Sequence, residues 1–382
     1  MTSKRIVIFS EDFPPYPGGI AQWAFGVANG LHRLGHEIHV ITRGRPEYNS
    51  GKADNLEYPI NYIKGKYWKK LRTWYCYRAL RDFYSEGQRP DLVLATTWNF
   101  ARGVVSLTRK NGTKLVTVVH GLEVTRKMSG LKKRWLKNTL RSSQRIISVS
   151  SFTKDRLLMS YDIDAEKVQI IPPGIDTARF FPSNGSQDLR RKYSLMNNRI
   201  ILTLARVIVR KGHDRVIQAL PLVRQKIPNI TYVICGPWEE SYHQQLQSKI
   251  DELGLTDSVM FTGYVDRQEI PAFHNLCDVY IMPSRELTTV GDTEGFGITY
   301  LEANACGKPV IGGNSGGVAD AIVDGETGFL VDPENPKEIA EKLILLLSDS
   351  ELAEKLGRQG RARIEKQFTW DIVANRICDT VF

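Results

Sequence analysis

The sequence has few cysteines, and none of them lies in a metal-binding arrangement. Five cysteines are spread over 382 residues, and no two form a Cys-x-x-Cys motif. A disulfide framework or a zinc site is therefore not expected, and the spacing favours a protein of the reducing cytosol. No apolar run approaches the ~18 residues that a membrane-spanning helix needs. The nearest, RIILTLARVIV, is interrupted by Arg206, and the first residues lack the apolar stretch typical of a signal peptide.

The overall composition is that of a folded globular protein. Hydrophobic residues make up 42% of the chain and charged residues 25%, which excludes a disordered chain. A length of 382 residues exceeds what one ordinary core accommodates. We therefore expect two domains, and no solenoid repeat or low-complexity tract contradicts this expectation.

Positive charge is concentrated in the first half of the chain. The net charge is +10, but residues 1–172 hold 29 Lys and Arg against 14 Asp and Glu, whereas the remainder holds 23 against 28. The first half is therefore strongly basic and the second half mildly acidic. This asymmetry indicates an anionic partner for the first half only.

Apolar runs of strand length alternate with longer amphipathic stretches along almost the whole chain. Continuous apolar strands joined by helical crossovers predict parallel sheets buried on both faces, and two such series predict two doubly wound α/β domains. The Pro- and Gly-rich stretch 170–186 is the predicted linker. The predicted strands are RIVIF, EIHVIT, DLVLAT, KLVTVVH and RIISVS in the first half, and IILTLA, TYVICG, VMFTG, VYIMPS, PVIGG and GFLVD in the second. The predicted helices of the first half are 19–34, 69–86, 99–111, 130–142 and 152–160.

Candidate binding residues follow the predicted strands, where ligands of open α/β sheets bind. Gly18 and Gly19 open a helix after the first strand, so backbone N–H groups could approach an anion there, although a plain turn has the same pattern. His120 ends the strand KLVTVVH, where it is either a cleft residue or a structural histidine. Arg206 and Lys211 follow the first strand of the second half and suit a diphosphate, unless they lie on a solvated loop.

Two glutamates bracket the start of a predicted helix in the stretch DTEGFGITYLEANACGKPVIGGNSGG. Glu294 precedes the helix, and Glu302 lies inside it. A carboxylate has only acceptor oxygens and can bind the two hydroxyls of a vicinal diol, while the N–H groups of Phe296, Gly297 and Ile298 suit a phosphate. A nucleotide sugar has these parts in this order: a diol on the sugar, then phosphates, then a second diol on the ribose. The alternative is a helix-capping carboxylate together with a surface glutamate.

The motifs in their order resemble those of the retaining glycosyltransferases of family GT4, which have the GT-B fold. The resemblance covers nearly the whole chain through PPYPGG, HG, PPGID, ARVIVRKGHD, the stretch around Glu294, DGETGFLVDP and FTW. The long loop before the glutamates and the GNSGG that follows are most similar to the phosphatidylinositol mannosyltransferases, which use GDP-mannose. The resemblance implies two Rossmann-like domains that face a deep cleft. An acceptor domain would comprise residues 1–172 with a returning helix at 368–382, and a donor domain residues 173–367.

The resemblance also implies roles for residues of the donor domain. Arg206 and Lys211 match the pair that neutralises the donor diphosphate. Glu294 matches the glutamate that binds the transferred sugar, and Glu302 the one that binds the ribose. Val265 matches a position whose backbone meets the base.

Further roles are implied for the first domain and for the backbone beside the sugar. His120 matches the histidine near the reacting carbon, and Gly18–Gly19 match the loop that closes over the phosphates. Backbone of 296–298 matches the segment beside the transferred sugar. Glu11 and Asp12 occupy a place where relatives have a polar pair that faces the acceptor.

The chemistry expected from this resemblance is hexosyl transfer with retention and without a metal. Fixed cations at Arg206 and Lys211 would stabilise charge on the departing diphosphate, as oxyanion-hole donors do. No second carboxylate is evident as a nucleophile, so we expect attack from the front face, with the leaving phosphate accepting the proton. A DxD-like pair, Asp162 and Asp164, lies in a polar turn before a further predicted strand, VQIIP, and is not expected to bind metal.

Two basic segments predict contact with an anionic membrane. Residues 64–81 hold seven Lys or Arg with interleaved aromatics that include Tyr67, and residues 126–145 hold eight Lys or Arg, with no acid in either. Basic amphipathic helices suit anionic surfaces, although their apolar faces could instead pack on the sheet. We expect a cytoplasmic protein at the inner face of the cell membrane, with a lipid-linked or glycan acceptor.

Other functions fit the sequence less well. A glycosyltransferase that uses a UDP-sugar on a soluble or polysaccharide-precursor acceptor is the main alternative. A nucleic-acid binder would explain the basic segments but not the two glutamates. A dinucleotide-dependent oxidoreductase would need the G-x-G-x-x-G motif, which neither EDFPPYPGG nor ARVIVRKG contains. A catalytically silent relative would not be expected to keep Glu294, Arg206 and Lys211.

Overall fold

A computed structural model of the chain describes residues 2–16, 18–44, 56–63, 65 and 68–382, without the side chain of Lys69. Pro17 of the PPYPGG motif and the residues Lys64, Lys66 and Tyr67 of the first basic segment lie outside the described residues. The chain divides into two compact units, residues 1–174 together with 368–382, and residues 175–367. The predicted boundary between residues 172 and 173 lies two positions from the observed one.

A parallel sheet forms the centre of the first unit. Its described strands lie in the order β3-β2-β1-β4-β5-β6-β7, and each neighbouring pair is parallel. The strands are β1 (Arg5–Ser10), β2 (Glu37–Arg43), β3 (Ile60–Ile63), β4 (Leu92–Ala95), β5 (Lys114–Val119), β6 (Arg145–Ser148) and β7 (Val168–Ile170). The helices between them are α1 (Gly19–Arg33), α2 (Trp68–Ser85), α3 (Trp98–Asn111), α4 (Leu122–Thr125), α5 (Gly130–Ser142) and α6 (Ser151–Ser160).

The second unit repeats this architecture around a sheet of order β10-β9-β8-β11-β12-β13. Its strands are β8 (Arg199–Leu204), β9 (Ile230–Cys235), β10 (Val259–Gly263), β11 (Val279–Met282), β12 (Val310–Gly313) and β13 (Gly328–Val331). Its helices are α7 (Gln187–Lys192), α8 (His213–Lys226), α9 (Glu240–Glu252), α10 (Ile270–Leu276), α11 (Ile298–Ala305), α12 (Val318–Ala321), α13 (Pro336–Ser348) and α14 (Ser350–Gln367).

The strands are parallel and buried because their sequences are almost entirely apolar. Every residue of β4, β9 and β11 is buried, and only the first residue of β1 is not. A strand that is apolar on both faces must be covered on both, and helical crossovers provide that cover. In each sheet the strand order reverses once, between β1 and β4 and between β8 and β11. The predicted pair of doubly wound α/β units is therefore confirmed.

The last helix, α15 (Trp370–Val381), packs on α1 of the first unit. A Cβ built on Gly26 would overlap the indole ring of Trp370, so glycine permits this close helix contact. At the other end of α15, the Lys114 ammonium donates a hydrogen bond of 2.7 Å to the carbonyl of Val381. Residues 368–382 are thus anchored on the same unit as the first 174 residues.

One strand of the first unit was not predicted. β3 has the sequence INYI, and none of its residues is buried. Among the strands that the structure describes, it pairs with β2 alone, at the edge of the sheet. An edge strand with a polar residue in its middle lacks the continuous apolar pattern by which the other strands were recognised. The five helices predicted in this half lie within one residue of their predicted bounds.

Candidate functional site

The carboxyl ends of neighbouring strands bring a loop and a helix start together in the second unit. The segment after β8 forms a short turn, Val209–Lys211, which ends at Gly212 with φ 76°. A Cβ on Gly212 would overlap the carbonyl of Pro283, directly after β11, so the loop fits closely against that strand end. Since β8 and β11 are adjacent parallel strands, the residues that follow them lie next to each other at the carboxyl ends of the strands.

A buried cluster of charged side chains lies at the carboxyl ends of β8 and β11. The Lys211 ammonium and the Arg210 guanidinium each lie 2.5 Å from the same oxygen, Oε2, of Glu294. Arg210 also lies 3.3 Å from a carboxylate oxygen of Asp292 through its Nε. The side chains of Arg210, Lys211 and Glu294 are only 7%, 12% and 14% exposed. Two cations and two carboxylates therefore stand in a confined, poorly solvated volume, where electrostatic interactions are strong.

The charges of the cluster determine the protonation state of Glu294. Burial alone would raise the pKa of this carboxyl, but the attraction of Lys211 and Arg210 outweighs burial and lowers the pKa to about 2. Burial lowers the pKa of the Lys211 ammonium, and the Glu294 carboxylate opposes that change. At neutral pH Glu294 is thus a carboxylate, with no proton to donate and with lone pairs available to hydroxyl groups.

The glycine-rich loop after β12 positions the backbone of Glu294. The N–H of Gly317 donates a hydrogen bond of 2.9 Å to the carbonyl of Glu294. Gly316 has φ 60°, and a Cβ there would overlap that same carbonyl. The glycines of GNSGG therefore bring a third strand end, that of β12, against the cluster.

Helix α11 begins four residues after the predicted sugar-binding glutamate, Glu294. Gly297 precedes the helix with φ 92°, and a Cβ there would overlap the ring of Tyr300. The hydroxyl of Tyr300 donates to the carbonyl of Met282, which ties the first turn of the helix to the end of β11. Ile298 starts the helix, and Phe296 is buried beside it. The positive end of the helix dipole thus lies in the same short segment as Glu294.

The two glutamates of this stretch have different surroundings. The side chain of Glu302 is 3% exposed, and its Oε2 lies 3.2 Å from Nε2 of His274 on α10. Glu294 instead faces the cations of the turn after β8. Because Glu302 is enclosed, a ligand could reach its carboxylate only if neighbouring side chains moved. Its predicted contact with a ribose stays a prediction.

Arg206 and Val265 also lie at strand ends of the second unit. Arg206 is exposed, and its carbonyl lies 3.4 Å from Nε2 of the buried His213. The charge of Arg206 contributes to the lowered pKa of Lys211, after the larger effect of burial. Val265 is buried and follows β10, next to Tyr264, which is 65% exposed. The predicted pair Arg206–Lys211 thus consists of one exposed and one enclosed cation.

His120 of the first unit is held in a neutral form. Its Nε2 lies 3.0 Å from the carbonyl of Thr96, which can only accept, so this nitrogen carries the proton. Its ring lies edge-on to Trp23, with centroids 6.0 Å apart. Burial lowers the pKa of His120 to about 4. Its backbone N–H donates a hydrogen bond of 2.6 Å to Glu123, whose own pKa is raised by burial.

The other predicted residues of the first unit lie after the carboxyl end of β1 and at the start of α1. Gly18 has φ 137°. A Cβ added to Gly18 or to Gly19 would meet no other heavy atom within 4 Å, so the space beside both glycines is open. Nη1 of Arg72 on α2 donates to both carboxylate oxygens of Glu11, at 3.0 and 2.9 Å. The carbonyl of Asp12 accepts a hydrogen bond of 2.6 Å from Ser10.

Sequence reasoning missed four charged residues that the structure places beside predicted ones. Arg210 and Asp292 complete the cluster around Glu294, and Arg72 and Glu123 contact Glu11 and His120. Three of them are close in sequence to a predicted residue: Arg210 directly precedes Lys211, Asp292 lies two positions before Glu294, and Glu123 lies three positions after His120. Arg72 comes from α2, which the sequence does not place next to Glu11.

The DxD-like pair of the first unit has local partners. Asp162 accepts from Arg141 and lies 3.4 Å from Lys137, and Asp164 caps a turn through the N–H of Glu166. Within the described ranges, no group of three or more His, Cys, Asp or Glu side chains is arranged to hold a metal ion.

Membrane-spanning helices are absent from the part of the chain that the structure describes. The described helices are either too short or too polar to cross a bilayer.

Family models match both units. Residues 17–179 match the model described as Glycosyltransferase Family 4, and residues 186–363 match the model described as Glycosyl transferases group 1. The two matches together cover most of each unit.

Similar proteins extend over the full chain. The GDP-mannose-dependent alpha-(1-6)-phosphatidylinositol monomannoside mannosyltransferases of Mycobacterium tuberculosis and Mycolicibacterium smegmatis are each 30% identical, over 98% of this chain and 97% of their own. The crystal structure of Anabaena HepE in complex with UDP and glucose superimposes with a TM-score of 0.83 over 99% of both chains, at 20% identity. The chain therefore belongs to the GT4 family of hexosyl-transferring glycosyltransferases and has the GT-B fold.

Proposed function

We propose that the enzyme transfers mannose from GDP-mannose, with retention of configuration, to a hydroxyl of a lipid-linked acceptor. The mycobacterial relatives are described as GDP-mannose-dependent and as acting on a phosphatidylinositol monomannoside, at 30% identity over nearly the full length. HepE, described in complex with UDP and glucose, is 20% identical, so its ligand carries no argument about the donor. UDP-sugars remain the alternative donor class.

The observation that carries the proposal is the position of Glu294 between two cations at the start of a helix. A carboxylate with a pKa of about 2 accepts hydrogen bonds from sugar hydroxyls. Lys211, directly beside it, supplies positive charge to the adjacent diphosphate. When the donor binds, Lys211 would exchange part of its contact with Glu294 for the phosphate, while Arg210 continues to hold the carboxylate.

Bond cleavage would leave positive charge at the sugar carbon and negative charge on the diphosphate. Lys211 and the first N–H groups of α11 are held in place before the reaction, so they stabilise the new negative charge with little reorganisation. Arg206 would add its charge from the same strand end. The acceptor hydroxyl would attack from the face that the diphosphate leaves, and a phosphate oxygen would take its proton. This route requires no carboxylate nucleophile and retains the configuration of the sugar.

His120 would orient the sugar as a neutral hydrogen-bonding group. With a pKa of about 4, its ring carries one proton at pH 7, and the contact with Thr96 places that proton on Nε2. Nδ1 is therefore left as an acceptor for a sugar hydroxyl. A neutral ring also avoids placing a cation beside the developing positive charge of the sugar.

Metal is not required by this arrangement, because protein cations replace it. We propose that transfer continues in excess EDTA at its full rate. Loss of activity in EDTA that Mg²⁺ or Mn²⁺ restores would contradict this part of the proposal.

The test of the donor is a panel of GDP- and UDP-sugars. Binding is measured by thermal shift, and cleavage by release of nucleotide diphosphate with and without acceptor. We expect GDP-mannose to stabilise the protein most and to be cleaved fastest. Stabilisation by a UDP-sugar alone would replace the GDP-mannose assignment, and stabilisation by no nucleotide sugar would overturn the transferase proposal.

Membrane contact through two helices of the first unit is part of the proposal. On α2, Leu71, Trp74 and Tyr77 are exposed, and on α5 Leu131 is 57% exposed among basic residues. The buried Leu136 and Leu140 show that part of the α5 apolar face packs on the core. Exposed aromatics between Lys and Arg suit an anionic lipid surface.

Sedimentation with vesicles tests this contact. We expect binding to vesicles that contain phosphatidylglycerol and little binding to phosphatidylcholine alone, with affinity that falls as salt increases. The variant Trp74→Ala should bind more weakly than Met159→Ala, which removes an exposed side chain from α6. Equal binding of both variants would contradict a role for α2.

A further inference from the structure

His274 is a fully buried histidine that contacts one of the two glutamates of the predicted donor site. It lies on α10, and its Nε2 is 3.2 Å from Oε2 of Glu302 on α11. We propose that His274 is a positioning residue, which holds the Glu302 carboxylate in place for the vicinal hydroxyls of the donor's ribose. The inference rests on the proposed function and adds a residue on which recognition of the nucleoside depends.

The ring of His274 has a fixed place in the core of the second unit. Its side chain is 0% exposed, and its ring centroid lies 6.0 Å from that of Phe180 and 5.4 Å from that of Tyr280. The hydroxyl of Tyr280 donates a hydrogen bond of 2.7 Å to Thr299 at the start of α11. The imidazole therefore cannot turn without disturbing closely packed aromatic side chains.

The hydrogen bond between His274 and Glu302 has one direction. Carboxylate oxygens can only accept, so Nε2 of His274 carries the proton and donates it to Oε2. Nδ1 is buried and has no hydrogen-bond partner among the described residues. Because buried polar atoms are nearly always paired, an unpaired one calls for an explanation. The ring is oriented for Glu302, and its own second nitrogen stays unpaired as a result.

The Glu302 carboxylate depends on such a donor because it is almost enclosed. Its side chain is 3% exposed, and a buried charged group without a hydrogen bond is costly. One bond from His274 leaves most of the acceptor capacity of a carboxylate for the two hydroxyls of a ribose. Since His274 has no exposed surface, the side chains that move to admit a ligand are other neighbours of Glu302. The contact with His274 can persist through that movement and keep the carboxylate in place.

A cation near Glu302 acts on its charge rather than on its direction. Nη2 of Arg179, which precedes α7, donates a hydrogen bond to the carbonyl of Arg267. Burial has the largest effect on the pKa of Arg179 and lowers it, the charge of Arg267 lowers it further, and Glu302 opposes both. Arg179 therefore attracts the carboxylate while its Nη2 is engaged elsewhere. The directional contact comes from His274.

Positioning and simple packing have different consequences for ligand binding. If His274 only filled the core, its loss would weaken all nucleotides to the same extent or have no effect. If it acts through Glu302, its loss weakens only ligands that carry the 2′ and 3′ hydroxyls. The two roles can therefore be separated by changing the ligand as well as the protein.

Titration calorimetry with GDP and with 2′,3′-dideoxy-GDP measures the contribution of the diol. In the unchanged protein we expect GDP to bind about tenfold more tightly or better, as hydrogen bonds to a charged acceptor imply. Glu302→Ala should reduce this ratio to about one. His274→Leu removes the donor at nearly constant volume and should reduce the ratio to about threefold or less. Affinity for dideoxy-GDP should stay within about twofold in both variants, since neither contact involves the diphosphate or the base.

A conservative variant and a matched control accompany these measurements. In His274→Gln, an amide N–H can replace the donor at Nε2, so about half or more of the ratio should be retained. Thr231→Val removes a different hydrogen bond of the second unit, 2.7 Å to Asn198 at the amino end of β9, and should leave the ratio unchanged. Adding His274→Leu to Glu302→Ala should not weaken GDP further, because both changes remove the same interaction.

Three results would overturn the inference. The first is a ratio in His274→Leu equal to that of the unchanged protein, and the second is an equal loss of affinity for both ligands. The third is a ratio near one in the unchanged protein, because the diol would then not be recognised. Thermal unfolding shows whether each variant is folded, and His274→Met takes the place of His274→Leu if the latter does not fold.

Failure of the proposed function would be distinguishable from failure of this inference. If no nucleotide sugar binds in the donor panel, the proposed function fails and the role of His274 fails with it. If the panel selects a UDP-sugar, UDP and 2′,3′-dideoxy-UDP replace the guanine pair with the same expectations. Binding of the diphosphate with an unchanged ratio in His274→Leu leaves the proposed function intact and overturns only the role of His274.

Discussion

Lys211 and Glu294 are 83 positions apart in the chain, and their side chains meet at 2.5 Å in the second unit. The contact exists because β8 and β11 are adjacent and because Gly212 and Gly316 allow their loops to pack closely against the segment that follows β11. Both groups are largely buried, and Arg210 shares the same carboxylate oxygen. Removal of one partner from such a site leaves a charge with less compensation in a poorly solvated volume.

Replacing Lys211 with alanine tests the proposed stabilisation of the leaving diphosphate. We expect Lys211→Ala to reduce turnover about a hundredfold or more, as loss of one fixed donor to a developing anion does. Folding should persist because Arg210 still pairs with Glu294. Turnover with saturating donor and acceptor is the measurement.

Lys355→Ala is the matched control for this substitution. Lys355 lies on α14 of the same unit, and its side chain is exposed. This control should have normal turnover. Near-normal turnover of Lys211→Ala would show that the diphosphate does not depend on this cation.

Replacing Glu294 with glutamine separates sugar binding from phosphate binding. The amide keeps the size of the side chain but loses the charge that Lys211 and Arg210 now share. We expect turnover to fall about a hundredfold, whereas affinity for GDP should be retained or increased because both cations lose their nearest anion. Calorimetry with GDP and a transfer assay provide the two values. A parallel loss of GDP affinity would mean that Glu294 acts by maintaining the shape of the site.

The cluster also shows how far the sequence could predict the site. Strand-end position identified Lys211 and Glu294, since apolar strands and the loops after them can be recognised in the chain. Two features of the cluster depend on how the loop between β11 and α11 folds: the contact of Asp292 with Arg210, and the contact of one Glu294 oxygen with two cations. No periodic pattern in the sequence encodes the fold of this loop. Glu302 was predicted from the same stretch, but its enclosure by His274 follows from the packing of α10 on α11.

The fold was predicted more completely than the site because buried parallel strands have a strong signal. Strands such as β4 and β9 consist of continuous apolar residues, and helices between them have the required length. The strand β3 lacks this pattern: it lies at the edge of the sheet formed by the described strands, and none of its residues is buried.

A pH dependence of stability follows from the buried His213. Its side chain is fully buried, its Nδ1 lies 3.1 Å from the hydroxyl of Tyr232, and burial lowers its pKa from 6.5 to about 4. The unfolded chain therefore binds a proton below pH 6.5 that the folded chain excludes, so acid favours unfolding. The stabilisation is complete above pH 6.5 and is lost as the pH falls toward 4, by about 3 kcal/mol for this residue.

Urea unfolding between pH 7 and pH 4.5 measures this effect. His213→Gln should show a shallower fall in the free energy of unfolding of the second unit than the unchanged protein. His32→Gln is the control, because His32 lies 32% exposed on α1 of the other unit. The same pH dependence in His213→Gln and in the unchanged protein would exclude His213 as its source.

The contact between α1 and α15 predicts a steric effect at Gly26. A methyl group there would overlap the Trp370 ring, so Gly26→Ala must displace α15 or the indole. We expect the first unit to lose about 2 kcal/mol of stability, since overpacking outweighs the better helix propensity of alanine. Gly130→Ala, at the start of α5 with no heavy atom within 4 Å of the built Cβ, should leave stability nearly unchanged. Urea unfolding compares the two, and an equally small effect of both would mean that α15 does not pack tightly on α1.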